Sequence, residues 1–231
     1  MVKPVHYPSG ISNAAKRSTL AVMGMPDPTR YHVWFDDFDK YTAADWTLTT
    51  TEAGAGSATE AASSADGGVL VVTNDAADND ADFFQWPVET FKFVAGKELW
   101  FKARVKISDV TQSDFVMGLQ ITDTTPLAVS DGVYFRKDDG DSILDCVTIK
   151  DSSATTESLS GLLADNTWVT MGFHYDGKNG IEWFVDDVKR ATTALTNLPD
   201  DEELTISFGI QNGEAVAKVL SVDYIAAIKE R

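Results

Sequence analysis

With 231 residues, 43% of them hydrophobic and 10% aromatic, the chain has enough material for one large core, and disorder throughout is excluded. The net charge of −17 speaks against a nucleic-acid partner, because affinity for phosphates comes mainly from basic side chains. No window approaches the roughly 18 consecutive apolar residues that a membrane helix needs, and no basic stretch followed by an apolar one marks a secretion signal.

The charge is unevenly distributed. Residues 1–31 carry four basic residues (Lys3, Lys16, Arg17, Arg30) against Asp27 alone, net +3, which leaves 15 basic and 35 acidic residues, net −20, for the remainder. An acidic body serves solubility and also suits docking on a basic surface. The single cysteine, Cys146, lies in the apolar run ILDCVTI and reads as a small buried hydrophobe; no intrachain disulfide framework exists.

Residues 1–31 hold four of the seven prolines together with Gly10 and Gly24, a composition that breaks regular structure. The segment reads as an extended N-terminal arm that orders on a partner, since Tyr7, Ile11, Leu20, Val22, Met23 and Met25 exceed what an inert linker needs. The domain opens at His32–Phe38 (HVWFDDF), where Val33, Phe35 and Asp37 alternate with Trp34, Asp36 and Phe38. Residues 41–68 are rich in Ala, Gly, Ser and Thr beyond Trp46 and are expected to cross the surface of the domain. Strands follow at Val69–Thr73 and Asp82–Trp86, joined by the acidic turn NDAADND.

Leu99, Phe101, Ala103, Val105 and Ile107 alternate with Trp100, Lys102, Arg104 and Lys106, the period of two that gives one buried and one basic face. Phe115, Met117, Leu119 and Ile121 repeat that period; Gly132–Arg136, Ile143–Ile149 and a polar strand near Thr155–Leu159 come next, with a short turn at Ser160–Leu163. The segment Trp168–Lys189 reads as a long β-hairpin: Val169, Met171, Phe173 and Tyr175, the turn DGKNG, then Ile181, Trp183 and Val185 on the same face. Leu204–Ile210 and Leu220–Ile228 close the chain. Roughly a dozen short strands and no convincing helical period point to an all-β sandwich of two antiparallel sheets.

Taken together, FDDF, ELWFKARVKI, FVMGLQI followed by DGVYF, the YDG…IEWFVDD hairpin and the closing VDYI resemble the concanavalin A-like lectin/glucanase jelly roll over residues 32–231. That resemblance implies that the first and last strands lie side by side, setting HVWFDDF next to SVDYIAAI. Function does not follow from this scaffold, which hosts glucanases, lectins, adhesion domains and viral structural proteins. The arm and its continuation, YPSGIS…MPDPTRYHVWFDDFDKYTAADWT, resemble the start of structural proteins of tailed bacteriophages. This second resemblance implies a capsid decoration (cement) or head-fibre protein of the outer virion surface, made in the host cytoplasm, with the major capsid protein as partner and a homotrimer as the assembly. Tyr7, Ile11, Lys16, Arg17, Val22, Met23 and Met25 are the arm residues expected to touch the shell.

Enzymatic chemistry has little support in the residues. Family-16-like glucanases carry an E-x-D-x-x-E run that aims alternate carboxylates into one cleft, and no such run exists here. Glu98, and Asp141 with Asp145, are the nearest positions and lack its spacing. His6, His32 and His174 stand apart in sequence, without a zinc or nucleophile-activating pair. Asp78, Asp80 and Asp82 have the spacing of calcium ligands, but Phe83 stands where a calcium loop needs glycine, and a solvated turn is the plainer reading. No cofactor is expected. If surface glycans are bound, Trp100 and then Trp86 are the candidate contacts, with core or interface packing as the competing role.

Overall fold

The computed structural model describes residues 26–65 and 67–231, so the arm's expected shell contacts, from Tyr7 to Met25, lie outside the described residues. Within the described residues fifteen strands form two antiparallel sheets, and the only helical elements are single 3-10 turns at Ala43–Asp45, Pro126–Ala128 and Leu195–Asn197. In chain order the strands are β1 (Tyr31–Asp36), β2 (Thr47–Thr51), β3 (Thr59–Ser63), β4 (Val69–Thr73), β5 (Ala81–Gln85), β6 (Leu99–Ile107), β7 (Ser113–Gln120) and β8 (Gly132–Lys137). They continue with β9 (Leu144–Lys150), β10 (Ser153–Leu159), β11 (Val169–Tyr175), β12 (Ile181–Val185), β13 (Val188–Thr193), β14 (Thr205–Asn212) and β15 (Val219–Glu230).

The seven-stranded sheet runs β10-β9-β8-β7-β14-β5-β2, and the eight-stranded sheet runs β13-β12-β11-β6-β15-β4-β3 with β1 also paired to β15. The twelve-residue β15 is long enough to serve two neighbours on one side: Val219–Val222 pair with β4, and Ile225–Glu230 pair with β1. The first and last strands therefore do lie side by side, Ala226 opposite Phe35 and Ile228 opposite Val33.

The alternation in β6 is realised residue by residue, with Leu99, Phe101, Ala103, Val105 and Ile107 buried and Trp100, Lys102, Arg104 and Lys106 on the outer face. The hairpin behaves likewise. Val169, Met171, Phe173 and Tyr175 of β11 and Ile181, Trp183 and Val185 of β12 all enter the core between the sheets. Asp176 closes its turn by accepting hydrogen bonds from the Lys178 and Asn179 amides at 2.9 and 2.7 Å, which hold its carboxyl below the usual range. A second reversal follows at once. Asp186 and Asp187 both have positive φ, as a tight two-residue β-turn requires, and they return the chain into β13. The same device at Asp151 and Ser152 joins β9 to β10.

Four expectations need correction. The stretch 41–68 does not merely cross the surface: it supplies two strands, β2 at one edge of the seven-stranded sheet and β3 at an edge of the eight-stranded sheet. Their small, polar side chains suit such positions, where little bulk is buried and charged or short residues blunt the exposed edge. The opening strand stops at Asp36 rather than Phe38, because Asp36 Oδ1 accepts the Phe38 amide at 2.8 Å and Phe38 takes φ +48°. That turn swings the Phe38 ring into the core, where it stacks on Trp46 at 6.3 Å. The strand expected at Asp82–Trp86 spans Ala81–Gln85. No helical turn forms at 160–163.

Trp183 occupies the centre of the sandwich. Its ring lies 5.0 Å from Phe135 of the opposite sheet and 5.3 Å from Phe173, and its Nε1–H donates to Thr193 Oγ1 at 3.0 Å. Thr193 Oγ1 lies in turn 3.3 Å from Thr148 Oγ1, a buried hydroxyl pair that joins the two sheets. Removing the indole leaves a large cavity and takes one of the two hydrogen-bond partners from the Thr193 hydroxyl. Trp183→Ala is expected to cost about 3–5 kcal/mol in urea unfolding and Trp183→Phe about 1–2 kcal/mol; a loss below about 1 kcal/mol for the alanine variant would show that the hairpin is not part of the core.

Candidate functional site

The outer faces of the two sheets differ sharply. On the seven-stranded sheet Phe83, Val116, Tyr134 and Val147 point away from the main core and form a second apolar cluster with Val129, Leu127 and Ile121 of the 121–131 loop. That loop is fastened down by Gln120 Nε2 donating to the Pro126 carbonyl and Gln85 Nε2 donating to the Ile121 carbonyl, both at 2.9 Å. The central strands of this face are covered: Tyr134, the middle outward residue of β8, is buried.

The outer face of the eight-stranded sheet is open, and strand register builds a groove of about 770 Å³ on it. One row across the strands reads Ile228, Trp100, His174, Glu182; the next reads Ala226, Lys102, Gly172, Phe184. Bulky Trp100, Ile228 and Phe184 rise around the small residues Ala226 and Gly172, and this contrast of size makes the depression. Gly172 admits no side chain, since a Cβ there would come within 2.8 Å of the Phe101 carbonyl oxygen. Trp100 lies nearly parallel to the His174 ring at 5.2 Å, with Tyr31 tilted against it at 6.1 Å.

Polar groups at the rim are engaged with one another. His174 Nε2 stands 2.9 Å from Glu98 Oε2 and its Nδ1 3.7 Å from Glu182 Oε2, while Lys189 holds Glu182 at 2.6 Å. Lys102 Nζ donates to Asp187 at 2.6 Å, which raises the lysine pKa. Lys102, one of the three basic side chains on the outer face of β6, is thereby paired. Arg104 is paired with Asp223 at the bulge of β15, and the Trp168 ring packs against Arg104 at 4.6 Å and Lys106 at 5.2 Å.

The two tryptophans singled out from sequence part company. Trp100 lines the groove, whereas Trp86 packs edge-on against Trp34 and Trp46, each at 5.5 Å, and belongs to the aromatic plug at one end of the core. Tyr31, from β1, and His174 and Phe184, from the β11–β12 hairpin, complete the groove around Trp100 and escape sequence reading because they reach it only through the pairing of distant segments. The nearest counterparts of catalytic carboxylates are dispersed. Glu98 pairs with His174, Asp145 lies 3.5 Å from Arg136 and accepts from Ser158, and Asp141 caps the Ile143 amide.

The acidic triplet does not converge either. Asp78 is exposed, and Asp80 turns back to accept the Ala53 and Ala77 amides at 2.5 and 3.2 Å. Asp82 shares the parity of Phe84 and points inward, its Oδ1 accepting from Thr50 Oγ1 at 2.7 Å and its Oδ2 buried without a hydrogen-bond partner. Among the described residues no group of three or more His, Cys, Asp or Glu side chains could hold a metal ion.

No protein-family model and no curated protein sequence matches the chain. Solved structures do match in shape. An endo-1,3-β-glucanase from Streptomyces sioyaensis superposes with a TM-score of 0.61 at 13% identity over 89% of this chain and 99% of that one. A protein of unknown function from Shewanella oneidensis MR-1 gives 0.59 at 18% identity over 87% of each chain. The potassium-bound carbohydrate recognition domain of Emp46p gives 0.56 at 10% identity over 83% of this chain and 94% of that one. At such identities the likeness shows the fold alone: this chain is a concanavalin A-like jelly-roll sandwich of two antiparallel sheets.

Burial, followed by the nearby Glu60 charge, pushes the Asp82 carboxyl up to about 7 from 3.8. A carboxyl whose folded pKa is raised contributes its full stability below pH 3.8 and loses it as pH climbs through about 7. Asp82→Asn is therefore expected to raise the melting temperature at pH 8, by on the order of 2 kcal/mol of stability, and to bring no gain at pH 4. Equal stabilisation at both pH values would refute a buried, ionisation-averse Asp82.

Proposed function

We propose that this chain is a non-enzymatic structural protein of a bacteriophage virion that binds and stabilises the outer capsid surface, its jelly-roll body held there by the N-terminal arm. The observation that carries this reading is how firmly the arm is rooted. The final residue, Arg231, donates its backbone amide to the Arg30 carbonyl at 2.8 Å and its Nε to the Pro28 and Tyr31 carbonyls at 3.1 and 3.2 Å. Asp27 accepts from Thr29 through its side chain and from Arg30 and Tyr31 through its carbonyl, which closes a turn just before β1. Clamped in this way, a basic arm leaves an acidic body at one defined point, and arm and body together reach a surface with a high effective concentration.

The phage resemblance of residues 7–47 supplies the kind of surface, and the lack of an E-x-D-x-x-E run supports a role without glycan hydrolysis. Under this reading residues 1–25 supply the contacts with the major capsid protein, and the homotrimer would place three arms on one local axis of the shell. Deleting residues 1–25 is expected to leave the domain folded and to abolish co-sedimentation with empty shells, while full-length protein sediments with them. Undiminished binding of the truncated protein would overturn arm-mediated attachment.

A second reading, a lectin-like module used in host adsorption, is favoured by the open position of Trp100 on the outer face. It predicts binding on a glycan array that Trp100→Ala reduces about five- to tenfold, the loss expected when an aromatic platform worth roughly 1–1.5 kcal/mol is removed. Array binding that Trp100→Ala leaves unchanged would exclude this groove as the glycan site.

A further inference from the structure

Asp82 and Glu60 meet between the sheets, on the side of the sandwich where β2 and β3 are the edge strands. Asp82 stands opposite Thr50 of β2 and is fully buried, with Oδ1 held by the Thr50 hydroxyl at 2.7 Å and Oδ2 left without a partner. Glu60 stands opposite Val72 of β4, and because Val72 belongs to the core, the residue across the ladder from it points inward as well. The Tyr41 hydroxyl, buried and also without a partner, completes the group. Its ring packs edge-on against Phe84 at 6.2 Å, two residues from Asp82 in β5.

An unpaired carboxyl oxygen in such a place demands an explanation. Glu60 is close enough to hydrogen-bond with Asp82, yet two ionised carboxylates offer only acceptors, so a bond between them requires a proton. No basic side chain takes that role. Besides burial, the side chains that chiefly shift Asp82 and Tyr41 are Thr50, Glu52, Glu60 and, for Tyr41, Asp82 itself. Glu52 is exposed and accepts the Ala58 amide at 2.8 Å. One retained proton would remove the repulsion between the pair and give Oδ2 its partner.

What such a bond fastens is β3. Among the described residues that strand pairs with β4 alone, and its inward positions are Glu60 and Ala62. Facing sheets stand about 10 Å apart, a gap the alanine methyl cannot cross. Glu60 is therefore the side chain by which β3 grips the opposite sheet. We propose that Asp82 and Glu60 share one proton across the two sheets and form a pH-sensitive latch: with the proton present β3 is held closed, and with the proton gone the two carboxylates repel and β3 opens, baring the edge of β4. The sign follows from the Asp82 carboxyl, which burial pushes up to about 7 from 3.8, so that the latch is closed in acid and loosens as pH climbs through about 7. It belongs to the body and holds whether or not that body sits on a shell.

Amide hydrogen exchange of the full-length protein, read as protection factors so that the intrinsic pH dependence of exchange drops out, tests the latch. Between pH 6 and pH 8.5 the protection of the β3 amides is expected to fall roughly tenfold or more, while that of β6 stays unchanged. Glu60→Gln sets an amide donor against the Asp82 carboxylate and is expected to keep β3 protected at both pH values. The same variant is expected to lower the titration midpoint of the Asp82 carboxyl carbon in NMR, which a merely structural role of Glu60 would not move. Asp82→Asn is expected to flatten the pH dependence of β3 in the same way. Equal protection of β3 at both pH values in the unmodified protein would overturn the proposal, as would a drop that survives Glu60→Gln or one that β6 shares. Protection restored at pH 8.5 by added calcium would overturn it too, since a cation and not a proton would then join the pair.

Discussion

The pairing of β15 with β6 is the constraint on which the rest of this structure depends. From Leu220 opposite Ile107 to Lys229 opposite Leu99, the last strand runs along the middle of the eight-stranded sheet, and its other side is shared between β4 and β1. Because side chains alternate across a sheet with a period of two, this single register decides which residues meet the core and which meet solvent. A slip of one residue would bury Lys102 and Arg104 and expose Phe101 and Val105. The core on one side and the groove on the other are thus two consequences of one ladder.

The ladder also joins the ends of the described chain. β1 can pair only where β15 outlasts β4, and that overlap brings Arg231 onto the turn at 27–30. The turn at 27–30 is therefore held both locally, by Asp27, and from far along the chain, by Arg231.

The asymmetry of the two outer faces has a similar physical origin. Val116, Tyr134 and Val147 would form an exposed apolar patch on the seven-stranded sheet, and the 121–131 loop removes it from water. The eight-stranded sheet has no such loop among the described residues. Two of its basic residues, Lys102 and Arg104, are paired with Asp187 and Asp223, which arrive from the tight turn after β12 and from the bulge in β15. What remains open is the apolar depression between Trp100 and Ile228.

By itself the sequence determined the fold class, the strands with clean alternation such as β6 and β11, and the hairpin through DGKNG, because those signals are local: a period of two and turn residues of known conformation. It also showed that Trp100 shares a face with Lys102 and Arg104. Tertiary structure decided the rest. Whether Thr47–Thr51 and Thr59–Ser63 are strands depended on partners tens of residues away, since small polar side chains carry no period. That Asp82 points inward, that Trp86 is plugged among rings, and that Tyr31, His174 and Phe184 gather around Trp100 follow from register between strands distant in the chain, a quantity no local pattern contains.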